Sequence, residues 1–133
     1  MSVRRVSTGG PWETAVGYSR AVAAGDTVHV SGCTSTVDGR PAHPGDAYAQ
    51  TLQAIRVAEA ALAELGCTLA DVVRSRMFVT DIERWAEYGR AHGELLGRAM
   101  PAATMVEVSR LIDPALLVEV ELEAWRPGVG SAR

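Results

Sequence analysis

The chain has no lysine, and all thirteen of its basic side chains are arginine. Lysine-based catalysis is therefore excluded, which removes Schiff-base chemistry on a lysine amine, a pyridoxal-phosphate lysine and a Walker lysine together. Asparagine is missing as well, beside abundant Ala, Arg and Gly, which reads as genomic base bias. There are only two cysteines, Cys33 and Cys67, and they form neither a CxxC nor a zinc pattern. The opening stretch MSVRRVSTGG has basic residues with no apolar segment behind them, so no signal peptide is expected. No apolar run approaches the ~20 residues that a membrane span needs. A formal charge of −3 gives no electrostatic footprint for nucleic acid, whose binding needs clustered positive charge. Two free thiols and no export signal together predict a cytoplasmic protein.

What is present is enough for one domain. The 133 residues, 47% of them hydrophobic, predict a single unit over 1–126, with a frayed tail over 127–133. Apolar residues at three- and four-residue steps predict a helix from about Asp46 to Leu65: Leu52, Ile55, Ala58, Leu62 and Leu65 form its stripe. Asp46 is a candidate N-cap and Gly66 a left-handed stop. A second helix is predicted from about Ile82 to Ala99, with Thr80 to Glu83 offering a cap and capping box.

The remainder predicts strands near Arg4–Ser7, Ser19–Ala23, Thr27–Ser31, Val72–Thr80, Thr104–Ser109 and Leu117–Ala124. Ala24-Gly25-Asp26 is a turn of hairpin length between two of them. The order β-β-β-α-β-α-β-β predicts an α+β two-layer domain, a mixed sheet with two helices on one face. The other face carries charge. Glu119, Glu121 and Glu123 alternate on one strand, and Arg74 and Arg76 share a face of another. Such a face is either a solvated, ion-paired surface or a subunit interface whose clefts hold a few polar groups.

No metal site is expected: His29, His43 and His92 are scattered over a strand, a loop and a helix. His92, on an apolar stripe, reads as a packing residue. Cys33 follows Ser31-Gly32 at a strand end, where glycine permits close approach of a ligand; its thiol is either a nucleophile or an inert buried group. Glu107 and Glu121 sit mid-strand, where a partly dry cleft would raise a carboxylate's pKa enough to move protons. Alternatively they form ion pairs with Arg74 or Arg76.

Five segments, in order, resemble the Rid family of reactive-intermediate deaminases, also called the YjgF or endoribonuclease L-PSP family. Gly17-Tyr18-Ser19-Arg20-Ala21-Val22 is similar to its P-Y-S-x-A-V, and Val28-His29-Val30-Ser31-Gly32 to its [IV]-x-[IV]-S-G. The helix ending in Ala-Glu-Leu-Gly-Cys-Thr, the stretch Val72-Val73-Arg74 to Thr80-Asp81-Ile82, and Pro101-Ala102 with Val106-Glu107-Val108 and Val120 to Ala124 complete the likeness. Together they span most of residues 15–125.

The resemblance implies a chorismate-mutase-like fold and a homotrimer whose sheets surround a central barrel, with clefts between neighbours. It implies hydrolysis of an enamine or imine to a keto acid or carbonyl and ammonia, without metal or cofactor. The pocket residues implied are Tyr18, Ser31, Gly32 and Glu121, the last ordering the water. Cys33 stands where the family often has Gln, and Ala103 where its archetypes have the carboxylate-binding Arg. Losing a bidentate charged pair leaves Arg76 as the substitute anchor, with Glu107 beside the pocket. A non-catalytic, metabolite-sensing trimer is the alternative, favoured by Ala103. A ribonuclease is disfavoured by the charge and by the lack of a histidine pair.

Overall fold

The computed structural model describes residues 2–131. Three strands come first: β1 (Val3–Val6), β2 (Ala21–Ala24) and β3 (Thr27–Thr34), with a short π-helical turn at Glu13–Gly17 between β1 and β2. A small hairpin follows, β4 (Thr36–Val37) and β5 (Arg40–Pro41). Then come α1 (Ala47–Glu64), β6 (Val72–Val79), α2 (Trp85–Leu96), β7 (Ala102–Glu107) and β8 (Val118–Trp125). The main sheet has the order β1-β2-β3-β8-β6-β7, and every neighbouring pair is antiparallel except β6–β7. That parallel pair flanks α2, as a βαβ connection requires.

Both helices lie on one face of this sheet, as the pattern predicts. In α1, Ile55, Ala58 and Leu62 are fully buried, Asp46 accepts the Ala49 N–H at 2.9 Å as N-cap, and Gly66 has φ +80°. In β8, Val118, Val120, Leu122 and Ala124 are buried under the helices, while Glu119, Glu121 and Glu123 point the other way. Gln50 is a fully buried polar residue with every group used. Its amide donates to the carbonyls of His43 and Ala115 and accepts from the Leu117 N–H, tying α1 to the β7–β8 loop.

Three details differ from expectation. The second helix opens with a 3-10 turn at Ile82–Arg84 and closes at Leu96, because Gly97, Met100 (φ +49°) and Pro101 turn the chain into β7. β3 runs past Ser31 to Thr34 through an irregularity between Val30 and Cys33, which breaks the alternation. The tail is not frayed up to residue 130: Gly130 N–H donates to Gly25 carbonyl at 2.8 Å, Arg4 donates to Val129 carbonyl, and Val129 is buried. Gly25 in turn donates to the Ser2 carbonyl, so residues 2, 25 and 130 meet. Ala132 and Arg133, also assigned to the tail, lie outside the described residues.

Candidate active site

The polar face of the sheet gathers most of the expected residues in two adjoining groups. The first forms where the chain enters β2. Glu13 is buried, accepting hydrogen bonds from the Ser7 hydroxyl and the Thr8 N–H, each at 3.1 Å, and from the Thr8 hydroxyl. Burial pushes its carboxyl up, but the Thr8 and Ser7 donors and the Arg20 charge outweigh that and hold it below the usual range. Glu13 thereby anchors the turn that presents Tyr18, whose N–H donates to the Glu13 carbonyl at 3.0 Å.

Arg20 is the hub of this group. Its Nη1 donates to the Gly32 carbonyl at 2.7 Å, its Nη2 reaches the Tyr18 hydroxyl at 3.4 Å, and Glu13 is 3.7 Å away. The guanidinium carbon lies 5.5 Å from the Tyr18 ring centroid. Ser31 donates its hydroxyl to the Ser19 carbonyl at 2.6 Å and its N–H to the Arg20 carbonyl at 2.9 Å. Tyr18, Ser31 and Gly32 are thus held by one arginine, which sits at the variable position of the Gly17–Val22 motif and so carries no signal of its own in the sequence. A hairpin register extended one step beyond Ala21–Val30 would have set Arg20 opposite Ser31.

The second group lies on β8 and β6. Arg76 is paired across strands with Glu121, and its Nη1 stands 3.9 Å from Glu121 and 3.5 Å from Glu123. Glu123 also meets His29 Nδ1 at 3.0 Å. Arg76 therefore does share a face with Glu121. Between the groups sits Glu119, whose carboxyl rests on Gly32: a Cβ built on that glycine would come 1.9 Å from Glu119 Oε2. Burial, then repulsion from Glu121, raises the Glu119 pKa, against an opposing pull from Arg20.

Three expected residues are elsewhere. Strict alternation would put Cys33 on the polar face with His29 and Ser31. The irregularity in β3 turns it inward instead, where it is 1% exposed and donates to the Ser31 carbonyl at 3.1 Å. Burial pushes its pKa up to about 11, so it is a core thiol in contact with Arg20 and not an exposed nucleophile. Ala103 is paired with buried Ser75, on the helix side of edge strand β7. Glu107 also lies on that side and accepts the Ile82 N–H at 3.0 Å, serving the start of the second helical segment. Neither joins Glu121 within one chain.

His92 is half-buried, and its Nε2 is 2.7 Å from the Ser75 hydroxyl; burial lowers its pKa. Among the described residues, no three His, Cys, Asp or Glu side chains are grouped to hold a metal, and no helix is long and apolar enough to cross a membrane. Chemically, the face offers a carboxylate beside a guanidinium (Glu121, Arg76) and a second carboxyl with a raised pKa (Glu119), seated on the backbone of Gly32.

A family model described as "Endoribonuclease L-PSP" matches residues 11–125. An uncharacterized protein of Streptomyces coelicolor is 42% identical over 130 residues, covering 98% of this chain and 97% of that one. A crystal structure from Mycobacterium tuberculosis, described as a member of the YjgF/YER057c/UK114 family, is 49% identical with a TM-score of 0.85, over 93% of this chain and 99% of that one. A Yersinia pestis structure described as a protein of unknown function of the conserved Rid family is 26% identical, with a TM-score of 0.81 over 93% and 99% of the two chains.

Proposed function

Since the chain belongs to the Rid (YjgF, endoribonuclease L-PSP) family, we propose that it hydrolyses a small enamine or imine to a carbonyl compound and ammonia. The reaction needs a water activated near an electrophilic carbon and a cation to orient the substrate. The observation that carries the reading is the Arg76–Glu121 pair on the open face, beside the Tyr18–Ser31–Gly32 group. Glu121 takes the proton from water, and Arg76 orients a carboxylate or carbonyl of the substrate. Tyr18 and the Gly32 backbone wall the pocket.

The reading includes a homotrimer with the site completed between neighbours. A sheet face uncovered by helices, with half-exposed charges and with Val106 and Trp125 exposed, supports it. In such an assembly a neighbour supplies the surroundings that Ala103 and Glu107 meet across the cleft. The free thiols Cys33 and Cys67 support a reducing compartment such as the cytoplasm.

The test is a semicarbazide-competition assay with imines generated in situ from several amino acids. Faster keto-acid formation is expected, and Glu121→Ala should abolish it while leaving the assembly intact; unchanged rates in that variant would sink the assignment. The second reading is a metabolite-binding trimer without turnover. It is favoured by Ala103, which offers no cation, and by the engagement of Arg76 with two carboxylates. It predicts ligand-dependent stabilisation with no acceleration of any imine. A ribonuclease is disfavoured by the net charge of −3 and by three carboxylates on the open face.

A further inference from the structure

Resting on the imine-hydrolysis reading, we propose that Glu119 is a second proton-transfer residue of the site, working as the acid partner of Glu121. The two carboxyls project from the same face of β8, two residues and so roughly 7 Å apart along the strand. That spacing leaves room for a substrate carbon and its nitrogen between them. Their surroundings differ in kind. Glu121 has the Arg76 guanidinium 3.9 Å away. Glu119 has no paired cation within ion-pair distance among the described residues. Its carboxyl lies on Gly32 where any side chain would collide with it.

The groups facing Glu119 come from four directions. On β8 there is Glu121, and on β3 Gly32, Cys33 and Thr34. Phe78 stands opposite on β6, and Arg20 reaches in from the segment before β2. The thiol is protonated and the phenyl ring inert, so burial first and then Glu121 push the Glu119 carboxyl up, with Arg20 opposing. Two carboxyls on one face, one beside a guanidinium and the other seated on bare glycine backbone, are suited to opposite roles.

The cycle balances. As water's oxygen bonds to the imine carbon, Glu121 takes a water proton. The C=N electron pair moves to nitrogen, which receives the Glu119 proton, giving a carbinolamine. Glu121 then returns its proton to that nitrogen, the C–N bond breaks with its electrons leaving on ammonia, and the hydroxyl proton goes to Glu119. Both carboxyls are restored, and imine plus water has become carbonyl plus ammonia.

The experiment is the pH profile of imine hydrolysis in wild type, Glu119→Gln, Glu121→Gln and Gly32→Ala, each checked for intact assembly and a single cooperative melting transition. Because Glu119 must be protonated to act, the wild-type rate should fall as pH rises through its raised pKa. Glu119→Gln should lower kcat roughly 100-fold and abolish that alkaline limb. Glu121→Gln should lower kcat but keep the limb. Gly32→Ala displaces only the end of a flexible side chain, so it should fold normally yet weaken kcat more than KM. Should Glu119→Gln keep both the wild-type rate and the alkaline limb, the role of Glu119 is overturned and imine hydrolysis stands. If the wild type accelerates no imine, both fall. If Glu119→Gln does not assemble, Gly32→Ala decides: a wild-type profile there overturns the role.

Discussion

Along β8 one backbone serves two environments. Val118, Val120, Leu122 and Ala124 face the helices and are almost without exposure, while Glu119, Glu121 and Glu123, interleaved with them, face away. The helix side is held by volume: each side chain fills a space that nothing else fills. The other side is held by charge, with Arg76 shared between Glu121 and Glu123, and His29 against Glu123. Where chemistry is proposed, the rule is relaxed on the charged side, because Glu119 is half-buried with no ion-pair partner among the described residues. The first side specifies the fold, and the second is free to specify what the fold does.

The sharpest way to break that contrast is to truncate each side in turn. Leu122→Ala should cost about 2–5 kcal/mol, read as a lowered denaturant midpoint, because a cavity remains under α1. Ser75→Ala comes next. It removes the partner of His92 Nε2 beneath β7, and a loss of about 1–2 kcal/mol is expected, smaller in acid where His92 is free to charge and turn outward. Equal losses from Leu122→Ala and from a substitution on the charged side would erase the distinction.

The two desolvated carboxyls sharpen it by sign. Glu13 has a depressed pKa, so its contribution is present above the unfolded value near 4.5 and is lost as pH falls through the folded one. Glu119 has a raised pKa, so stability is full below the unfolded value and declines as pH rises through the folded one. Melting temperatures across pH should therefore show Glu13→Gln losing most at neutral pH and least in strong acid. Glu119→Gln should instead gain at neutral pH and be neutral near pH 4. The smallest effect belongs to Glu123→Ala, where an exposed pair is worth at most about 1 kcal/mol in a separated chain. A loss that grows with protein concentration would instead report the proposed subunit contact.

The elements were legible where the hydrophobic period was long. α1 is capped at Asp46 and stopped at Gly66, and β8 alternates as written, because each signal is local and repeated. The face of Cys33 was not legible, since a strand irregularity between Val30 and Cys33 reverses the alternation and leaves no mark in composition. The β4–β5 hairpin was missed although Asp38-Gly39, both at positive φ, is a strong turn signal; its two-residue strands are too short to show a period. For the candidate site, the family motifs pointed to Tyr18, Ser31, Gly32 and Glu121, which lie on or beside one face of the sheet. Arg20 and Glu13 escaped because their roles arise from contacts between separate segments. The placement of Glu119 has a different origin: a bare glycine on the neighbouring strand, not its own surroundings in the chain, leaves the space that its carboxyl fills.

The meeting of residues 2, 25 and 130 has a topological consequence. Gly25 accepts from Gly130 and donates to Ser2, and a Cβ on Gly130 would come 2.6 Å from the Ser2 carbonyl. The backbone from 2 to 130 is therefore an almost closed loop, and a short flexible linker could join those two points with little added closure entropy. A circular permutant opened instead at the exposed Asp38-Gly39 turn should keep the same sheet order, with the strand sequence simply starting at β5.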